Sequence, residues 1–376
     1  MRFPVAKFAV SCLALAVVLT GGCQKGADKK VSDGSTPAEM PTFTLATSEY
    51  PSWSTYIVAG KAGLINPKAG GEPGALEKKW NVDIVVEVKD YDPCITSFGS
   101  GTCDAACLTN MDSLNPSMGR ACTMILPTST SVGADKIIGM NFTKQRGDEA
   151  KKSEEIAQYL ANKKVYGLSK SVSEYVFVRG LEKMKISPPD CTFVNLEPAP
   201  AATALQTGSN DVKVICVWNP FALQTLRTQK SADVLWDSSI IPEEIIDGVV
   251  VANESLKKPG GDRFACCLCD TFYEVSKRIN EPKSADPTIK ALGEDFSNLG
   301  IDDMKTCLKE TRFYSTPEAG TKLFTSPEFQ TTMKTVVATC EKIKVLSGKT
   351  PTIGYGDDKA QLNFDPQYMK RSAEGK

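Results

Sequence analysis

The stretch Val82-Asp-Ile-Val-Val-Glu-Val88, with Gly101-Thr-Cys-Asp104 downstream of it, decides the fold because the same succession recurs later in the chain. The second copy begins with the apolar run 191–196 and passes through a helical pattern over 199–207. It then reaches Gly208-Ser-Asn-Asp211, which lies 107 residues after the first Gly-x-x-Asp stretch. In both copies glycine falls where a helix ends, a position that favours a left-handed residue, and a buried run follows.

Strand-like runs alternate with helical patterns along the rest of the chain, which predicts βαβ units and mainly parallel sheets. Further runs lie at 42–47, 105–108, 164–168, 212–218 and 248–252. The region 262–348 is mostly helical in pattern, and Ser326 before Pro327 predicts one helix start there. The repeated succession predicts two similar α/β lobes, whose facing strand ends would enclose a ligand-binding cleft.

The composition is that of a globular protein and excludes several functions. The chain has 376 residues, enough for two or three domains, with 41% hydrophobic and 24% charged residues. The 44 basic and 45 acidic side chains nearly cancel, so no nucleic-acid partner is expected. Because the sequence has no histidine, it cannot form a Ser-His-Asp triad, a Cys-His pair or a histidine-ligated zinc site. We expect no catalytic residue and no cofactor.

The N-terminal residues predict export and a membrane anchor. Arg2 and Lys7 precede an uncharged run, residues 8–24, that is too short to span a bilayer and ends in small residues. Leu19-Thr-Gly-Gly-Cys23 resembles the lipobox of bacterial lipoproteins, although its leucine stands one position early. The pattern predicts a lipoprotein signal peptide over 1–22, lipidation of Cys23 and a polar tether over 23–41. The protein would then be periplasmic or otherwise extracytoplasmic, lipid-anchored to a bacterial membrane; an ordinary secreted protein is the alternative.

Thirteen cysteines are present, and eleven remain when Cys12 of the signal peptide and Cys23 are set aside. An odd number leaves at least one thiol unpaired. Some lie in apolar patterns and are predicted to be small buried hydrophobes: Cys216, Cys266 and Cys267. Two pairs are candidates for disulfides: Cys94 with Cys103, and Cys307 with Cys340. No metal site is expected, because two separated Cys-x-x-Cys motifs are lacking.

Several segments together resemble the solute-binding proteins of ABC importers, in the branch that binds nitrate, taurine, alkanesulfonates and thiamine precursors. The resemblance extends from about residue 43 to residue 371 and rests on the order and spacing of its pieces. These are Tyr50-Pro-Ser-Trp53 with 56–64, Trp80-Asn-Val-Asp-Ile-Val85, Lys89-Asp-Tyr-Asp92, Ser129-Thr-Ser-Val-Gly-Ala-Asp-Lys-Ile-Ile138, Asn195-Leu-Glu-Pro-Ala-Pro200 and Val217-Trp-Asn-Pro-Phe221.

The resemblance implies a type II periplasmic-binding fold, with two doubly wound lobes joined by a hinge. Lobe 1 would hold residues 42–135 plus 250–376, and lobe 2 residues 136–249. The chain would cross between lobes near 131–136 and 247–252, where Gly133 and Gly248 could absorb the dihedral changes of closure.

The function implied is that of a monomeric, non-enzymatic lipoprotein that captures a small solute and delivers it to an ABC permease and its ATPase. The solute class would be of the nitrate, sulfonate, taurine or pyrimidine type. Two alternatives stay open: a ligand-sensing lipoprotein that signals to a membrane receptor, and a secreted enzyme on the same scaffold that works without histidine.

Four strand-to-helix turns are candidate ligand-binding sites, because helix N-termini expose free N–H groups there. The candidate residues in these turns are Ser48, Trp53, Ser54, Asn110, Asp112, Ser171, Ser173 and Trp218. The resemblance adds Ser129 and Ser131, which fall in the family's cleft-lining hinge segment.

Several of these residues have two interpretations. Trp53 and Trp218 are either stacking plates for a ligand or core residues, and Ser171 is either a helix cap or a ligand donor. If Asp112 or Glu49 points inward, the solute carries an amine or amidine; if both cap helices, an anion fits better. The turns lack clustered arginines, which favours a zwitterion or a neutral heterocycle over a multiply charged oxyanion.

Overall fold

A computed structural model describes residues 40–142, 149–187, 190–346 and 348–375. The predicted signal peptide, Cys23 and the tether up to residue 39 lie outside the described residues. None of the helices within the described ranges has the length and apolar character that a membrane span requires.

The described strands follow one another as the alternating pattern predicts. They are β1 Thr42–Thr47, β2 Asp83–Val88, β3 Ala105–Thr109, β4 Cys122–Ser131, β5 Asp135–Met140, β6 Lys164–Gly167, β7 Thr192–Asn195, β8 Val214–Trp218, β9 Ala232–Asp237, β10 Ile246–Ala252, β11 Thr311–Phe313, β12 Ile353–Tyr355 and β13 Leu362–Phe364.

Helices connect these strands. They are α1 Thr55–Lys61, α2 Ala75–Trp80, α3 Tyr91–Ser100, α4 Leu114–Gly119, α5 Glu149–Leu160, α6 Val172–Lys183, α7 Pro198–Gln206, α8 Phe221–Thr228, α9 Asn253–Leu256, α10 Gly261–Asn280, α11 Ala285–Asp295, α12 Ile301–Lys309, α13 Pro317–Phe324, α14 Pro327–Lys342 and α15 Gln367–Glu374. The predicted start of α14 is confirmed, because the Ser326 hydroxyl accepts a hydrogen bond from the Phe329 N–H.

The strands form two sheets that share a five-strand order, and the first sheet has three further strands. The first sheet runs β12-β13-β4-β10-β3-β1-β2, with β11 also on β4, and the second runs β7-β6-β8-β5-β9. In each sheet two parallel pairs are followed by one antiparallel strand, β10 or β5. The fold is therefore the predicted α/β type II periplasmic-binding architecture with two doubly wound lobes.

The repeat seen in the sequence corresponds to equivalent parts of the two sheets. Strands β2 and β3, connected by α3, occupy the positions in the first sheet that β7 and β8, connected by α7, occupy in the second. Gly101 ends α3 with φ 79° and Gly208 follows α7 with φ 73°, so both adopt the predicted left-handed conformation.

The chain passes between the sheets at two places, and one differs from its prediction. The first passage follows β4, and Gly133 adopts φ 100° there. The second runs over 238–245, between β9 and β10, and therefore before 247–252. All of β10 pairs within the first sheet, so the expected hinge at Gly248 is wrong. Ladder hydrogen bonds on both sides of β10 oppose a large dihedral change there.

Gly248 is instead a packing residue, which gives a stability prediction. A Cβ atom there would stand 2.5 Å from the Met124 sulfur and 2.8 Å from the Leu126 carbonyl oxygen. We expect Gly248→Ala to lower the free energy of unfolding by about 1–3 kcal/mol through overpacking. At Gly99, near the end of α3, the nearest atom to an added Cβ is 3.8 Å away, so Gly99→Ala serves as the matched control. Urea unfolding measures both, and equal midpoints for the two variants would contradict this account.

The eleven cysteines of the described residues are all unpaired. Both disulfide predictions, Cys94 with Cys103 and Cys307 with Cys340, are therefore wrong. Cys307 lies near Glu310 and Lys136, whereas the Cys340 thiol lies near Asp112, so these two thiols have different surroundings. The prediction of burial is confirmed for Cys216, Cys266 and Cys267. Within the described residues no group of histidine, cysteine, aspartate or glutamate side chains is arranged to hold a metal ion.

Candidate functional site

A cavity of about 620 Å³, here called the outer cavity, is bounded by turns from both sheets. The first sheet contributes the turns after β1 and β2, and the second contributes those after β7 and β8. The lining side chains include Ser48, Glu49, Lys89, Asp90, Tyr91, Glu197, Trp218, Phe221 and Asp295. The cavity therefore lies at the carboxyl ends of parallel strands, as the sequence predicted for a ligand cleft.

A smaller inner pocket adjoins the outer cavity, because Tyr91 and Trp218 line both. Its other lining residues are Tyr50, Trp53, Thr109, Asp135, Val172, Ile245 and Asp247. The free space is about 10 Å³, which is room for about one water molecule with the lobes as they stand. A group larger than a water molecule would fit in this pocket only with the lobes further apart than they stand here.

Four aromatic rings, here called the aromatic cluster, form one continuous wall of the inner pocket: Tyr50, Trp53, Tyr91 and Trp218. The Trp53 and Tyr91 rings are stacked with centroids 5.4 Å apart, and Trp218 meets Tyr91 edge-on at 5.5 Å. Tyr50 and Trp53 are 5.0 Å apart and tilted. Tyr91 follows β2 of the first sheet and Trp218 ends β8 of the second, so the cluster joins the two lobes.

Three buried carboxylates lie at or next to this wall. Asp135 and Asp247 line the inner pocket, and Asp112 accepts hydrogen bonds from Tyr91 Oη at 2.8 Å and Thr109 Oγ1 at 2.9 Å. Asp247 accepts a hydrogen bond from Ser129 Oγ at 2.6 Å. All three side chains are less than 5% exposed. Carboxylates are seldom buried without a compensating charge, so this concentration requires an explanation.

Burial changes the titration of these groups. It raises the pKa of Asp112 to about 6, although the Tyr91 and Thr109 hydroxyls oppose the rise. Burial also raises the pKa of Asp135 to about 6, against the Ser131 hydroxyl and the Lys136 charge. The pKa of Asp247 is raised well above its usual range by burial, with the charge of Asp135 adding to the effect.

Basic side chains do not balance these acids. Of the described residues that line the two cavities, Lys89 alone is basic, and its Nζ pairs with Glu87 at 2.7 Å. Lys136 lies next to Asp135 in sequence, but its Nζ contacts the Gly133 carbonyl oxygen and pairs with Glu310 at 2.9 Å. The lining of the inner pocket therefore contains two carboxyl groups and no basic side chain.

Three buried polar groups in the cavity linings lack a hydrogen-bond partner: the Trp53 indole Nε1–H and the hydroxyls of Ser48 and Tyr50. All three side chains are less than 5% exposed, and each lines one of the two cavities. A buried polar group left unpaired costs about 1–3 kcal/mol, so all three are positioned to gain a partner from a bound molecule.

The other sequence-predicted residues have mainly structural partners. Asn110 donates to the Glu244 carbonyl oxygen at 3.0 Å and accepts from the Ile246 N–H at 3.1 Å. Ser131 Oγ lies 2.6 Å from Ser238 Oγ, which ties the first passage between the sheets to the second.

Two predicted serines stand at helix starts. Ser171 caps α6, since its hydroxyl accepts from the Ser173 N–H at 3.2 Å. Ser54 precedes α1 without a side-chain cap, and the hydroxyls of Ser54 and Ser173 are buried with no partner. Glu49, the second ambiguous acid, lines the outer cavity, where burial raises its pKa.

Sequence reasoning missed Tyr50, Tyr91, Asp135 and Asp247 as site residues. A signal existed for the two acids, because Asp247 lies inside an apolar strand and Asp135 stands at the start of a mainly apolar one. Asp135 opens Asp-Lys-Ile-Ile-Gly-Met, and Asp247 lies inside Ile-Ile-Asp-Gly-Val-Val-Val. An acid within a buried run is an exception that points to a functional position.

An ion pair holds the second passage between the sheets against the second lobe. Glu244 lies in that passage, and its carboxylate receives Arg179 Nε at 2.7 Å and Nη2 at 2.8 Å. Tyr175 Oη, also from α6, donates to the same carboxylate at 2.7 Å. Burial opposes ionisation of Glu244, but these donors win and its pKa is lowered.

The comparisons agree with the geometry. No family model and no curated protein matches the sequence. Among solved structures, the chain is similar to the alkanesulfonate-binding protein SsuA from Xanthomonas axonopodis pv. citri bound to MOPS, with 16% identity, TM-score 0.61 and coverage of 84% of this chain and 97% of that one. The periplasmic aliphatic sulphonate binding protein SsuA from Escherichia coli matches with 17% identity, TM-score 0.61 and coverage of 82% and 95%.

The periplasmic nitrate-binding protein NrtA from Synechocystis PCC 6803 matches with 13% identity, TM-score 0.54 and coverage of 89% of each chain. At these identities the likeness shows the fold. The structural neighbours agree with the resemblance seen in the sequence motifs, and the chain has the two-lobed fold of these periplasmic binding proteins.

Proposed function

We propose that the protein is an extracytoplasmic solute-binding protein that captures a small molecule between its two lobes and delivers it to an ABC importer. The main observation in support is the pair of adjoining cavities at the strand ends of both sheets, since both lobes contribute residues to their walls. Unpartnered buried groups in both cavities support it, because a bound solute would supply what they lack. Nothing in this function requires a bond to be made or broken, so we propose a monomeric binding protein and not an enzyme.

In this proposal the lobes close about the two passages between the sheets. The strands of the first sheet lie within 42–131 and 246–364, and those of the second sheet lie within 135–237. Gly133, with its positive φ, and the passage over 238–245 would absorb the rotation. Closure favours the bound state only by the difference in the solute's affinity for the two arrangements.

The proposed anchor is a lipid on Cys23, followed by the polar tether, which would hold the protein near its permease. Labelling of the wild-type protein with radioactive palmitate, and loss of the label in Cys23→Ser, would support this. An unlabelled wild-type chain would refute the anchor while leaving solute binding untouched.

A screen for thermal stabilisation tests the function itself. The panel contains sulfonates, taurine, nitrate, pyrimidines, amines and quaternary ammonium compounds. A true solute at a hundred times its Kd should stabilise the protein by about 2.7 kcal/mol. The same solute should reduce the radius of gyration in solution scattering, as the lobes close. If no small solute stabilises the protein, the import function is refuted.

A further inference from the structure

The charge of the site distinguishes classes of solute. The inner pocket has two carboxylates in its lining, those of Asp135 and Asp247, and a third, that of Asp112, hydrogen-bonded to the lining residue Tyr91. The outer cavity adds the carboxylates of Glu49, Asp90, Glu197 and Asp295, of which Asp295 pairs with Lys61 at 2.6 Å. An oxyanion would bring a further negative charge into this surface, whereas a cation would neutralise part of it.

The aromatic cluster is the second, independent observation. Aromatic faces attract a cation within about 6 Å of the ring centroid, and tryptophan attracts it most strongly. Here two tryptophans and two tyrosines stand around the same pocket as the carboxylates. Carboxylates with aromatic rings provide both the charge and the desolvated surface that an organic cation needs, and a metal ion would make no use of the rings.

The unpartnered Trp53 N–H adds a further requirement. It is a hydrogen-bond donor only, so its partner must be an acceptor atom. A hydroxyl, carbonyl or ring nitrogen near the charged group would satisfy it.

We infer that the solute is a small organic cation bearing a hydrogen-bond acceptor, with its charged group placed between the aromatic cluster and the carboxylates of the inner pocket. This inference rests on the proposed solute-binding function. It differs from a transfer of the ligands named for the structural neighbours, which are an alkanesulfonate, an aliphatic sulphonate and nitrate.

Isothermal titration calorimetry near pH 8 tests the cation inference by comparing cations with neutral molecules of the same shape. Choline is compared with its neutral isostere 3,3-dimethylbutan-1-ol, and benzamidine with benzamide; ethanesulfonate and nitrate complete the set. We expect at least one cation to bind about thirtyfold or more tightly than its neutral partner. The neutral molecule would leave the buried carboxylates of the pocket without a counter-charge, which weakens binding by this order. The two anions should give no binding heat.

Variants of the two lining carboxylates test whether the cation binds in the inner pocket. Asp135→Asn and Asp247→Asn should each weaken binding of that cation at least about tenfold, since each removes one counter-charge. Asp358→Asn makes the same change in an exposed loop between β12 and β13 and should leave the affinity unchanged. Because the two pocket variants remove buried charge, they should unfold at a temperature no lower than the wild type, which separates lost binding from lost folding.

The outcomes are distinguishable. Binding of a sulfonate or nitrate, or equal binding of a cation and its neutral isostere, would overturn the cation inference and leave the import function standing. If neither cation gave heat of binding, and an anionic or neutral solute stabilised the protein in the thermal screen, the cation inference would likewise be overturned and the import function would stand. Absence of binding in both experiments would overturn both proposals.

Discussion

Lowering the pH from about 8 to about 5.5 is expected to stabilise the ligand-free protein, because native carboxylates with raised pKa values take up protons in this range. Asp112 and Asp135 have native pKa values of about 6, above the ordinary value of 3.8. The native state therefore binds more protons than the unfolded chain, and the free energy of unfolding rises as the pH falls. Each unit of pKa difference corresponds to about 1.4 kcal/mol when titration is complete; down to pH 5.5, only half a unit below these pKa values, the two groups together should contribute about 1.5–2 kcal/mol.

The gain in stability does not continue to still lower pH. Carboxylates with lowered pKa values, such as Glu244 and Asp262, contribute stability that is lost as the pH falls through their own pKa. Tyr91 donates a hydrogen bond to Asp112, and burial raises the pKa of its phenol well above its usual value, so this group stays protonated over the range. The expected profile is therefore a maximum in weakly acid solution.

Thermal unfolding followed across this pH range measures the effect. Asp135→Asn should flatten the profile, and the exposed variant Asp358→Asn should leave it unchanged. An organic cation should bind more weakly as the pH falls through about 6, since protonation removes its counter-charges. A wild-type protein whose stability increased from weakly acid to neutral pH would contradict the assignment of these groups.

Removal of the Arg179 guanidinium is expected to have a comparably large effect on stability. Arg179→Met would leave Glu244 as a buried charge, 9% exposed at its side chain, with Lys183 Nζ 3.6 Å away as a weaker substitute. Breaking a buried ion pair from one side costs about 3–5 kcal/mol, and we expect about 3 kcal/mol here. The passage over 238–245 would also lose its attachment to α6.

The neighbouring residue supplies the control for this prediction. Glu243 forms a pair with Arg312 in which both side chains are at least half exposed. Arg312→Met should therefore cost less than about 1 kcal/mol. The double variant Arg179→Met/Glu244→Leu should recover much of the loss, because neither charge is then left buried alone. Urea unfolding of the four proteins measures this; equal losses from Arg179→Met and Arg312→Met would refute the role of burial.

Much of the fold could be predicted from the sequence because its signals are local. Glycine after a helix and apolar runs of strand length indicated the repeat, and both Gly101 and Gly208 have the expected backbone. The position of the second passage could not be predicted this way. Whether β10 pairs with β3 and β4 depends on contacts between residues more than a hundred positions apart, which no local pattern encodes.

The site was harder to predict for the same reason. The sequence pointed to turns, and Ser48, Trp53 and Trp218 do line the cavities. Asp247 reaches the pocket from within a strand, opposite Ser129 in the sheet register. Its role becomes visible only when Asp135 of the other sheet is placed on the same wall.

The unpaired cysteines affect how the chain must fold if it folds in the presence of an oxidant. Ten of the eleven are buried, and only Cys191, just before β7, is partly accessible. Burial raises the pKa of thiols such as Cys107 and Cys340, so they remain in the slowly reacting protonated form at neutral pH. If the chain is exported as proposed, these thiols must be buried in the folding protein before an oxidant in that compartment can form non-native disulfides; once buried, the protonated thiols react slowly.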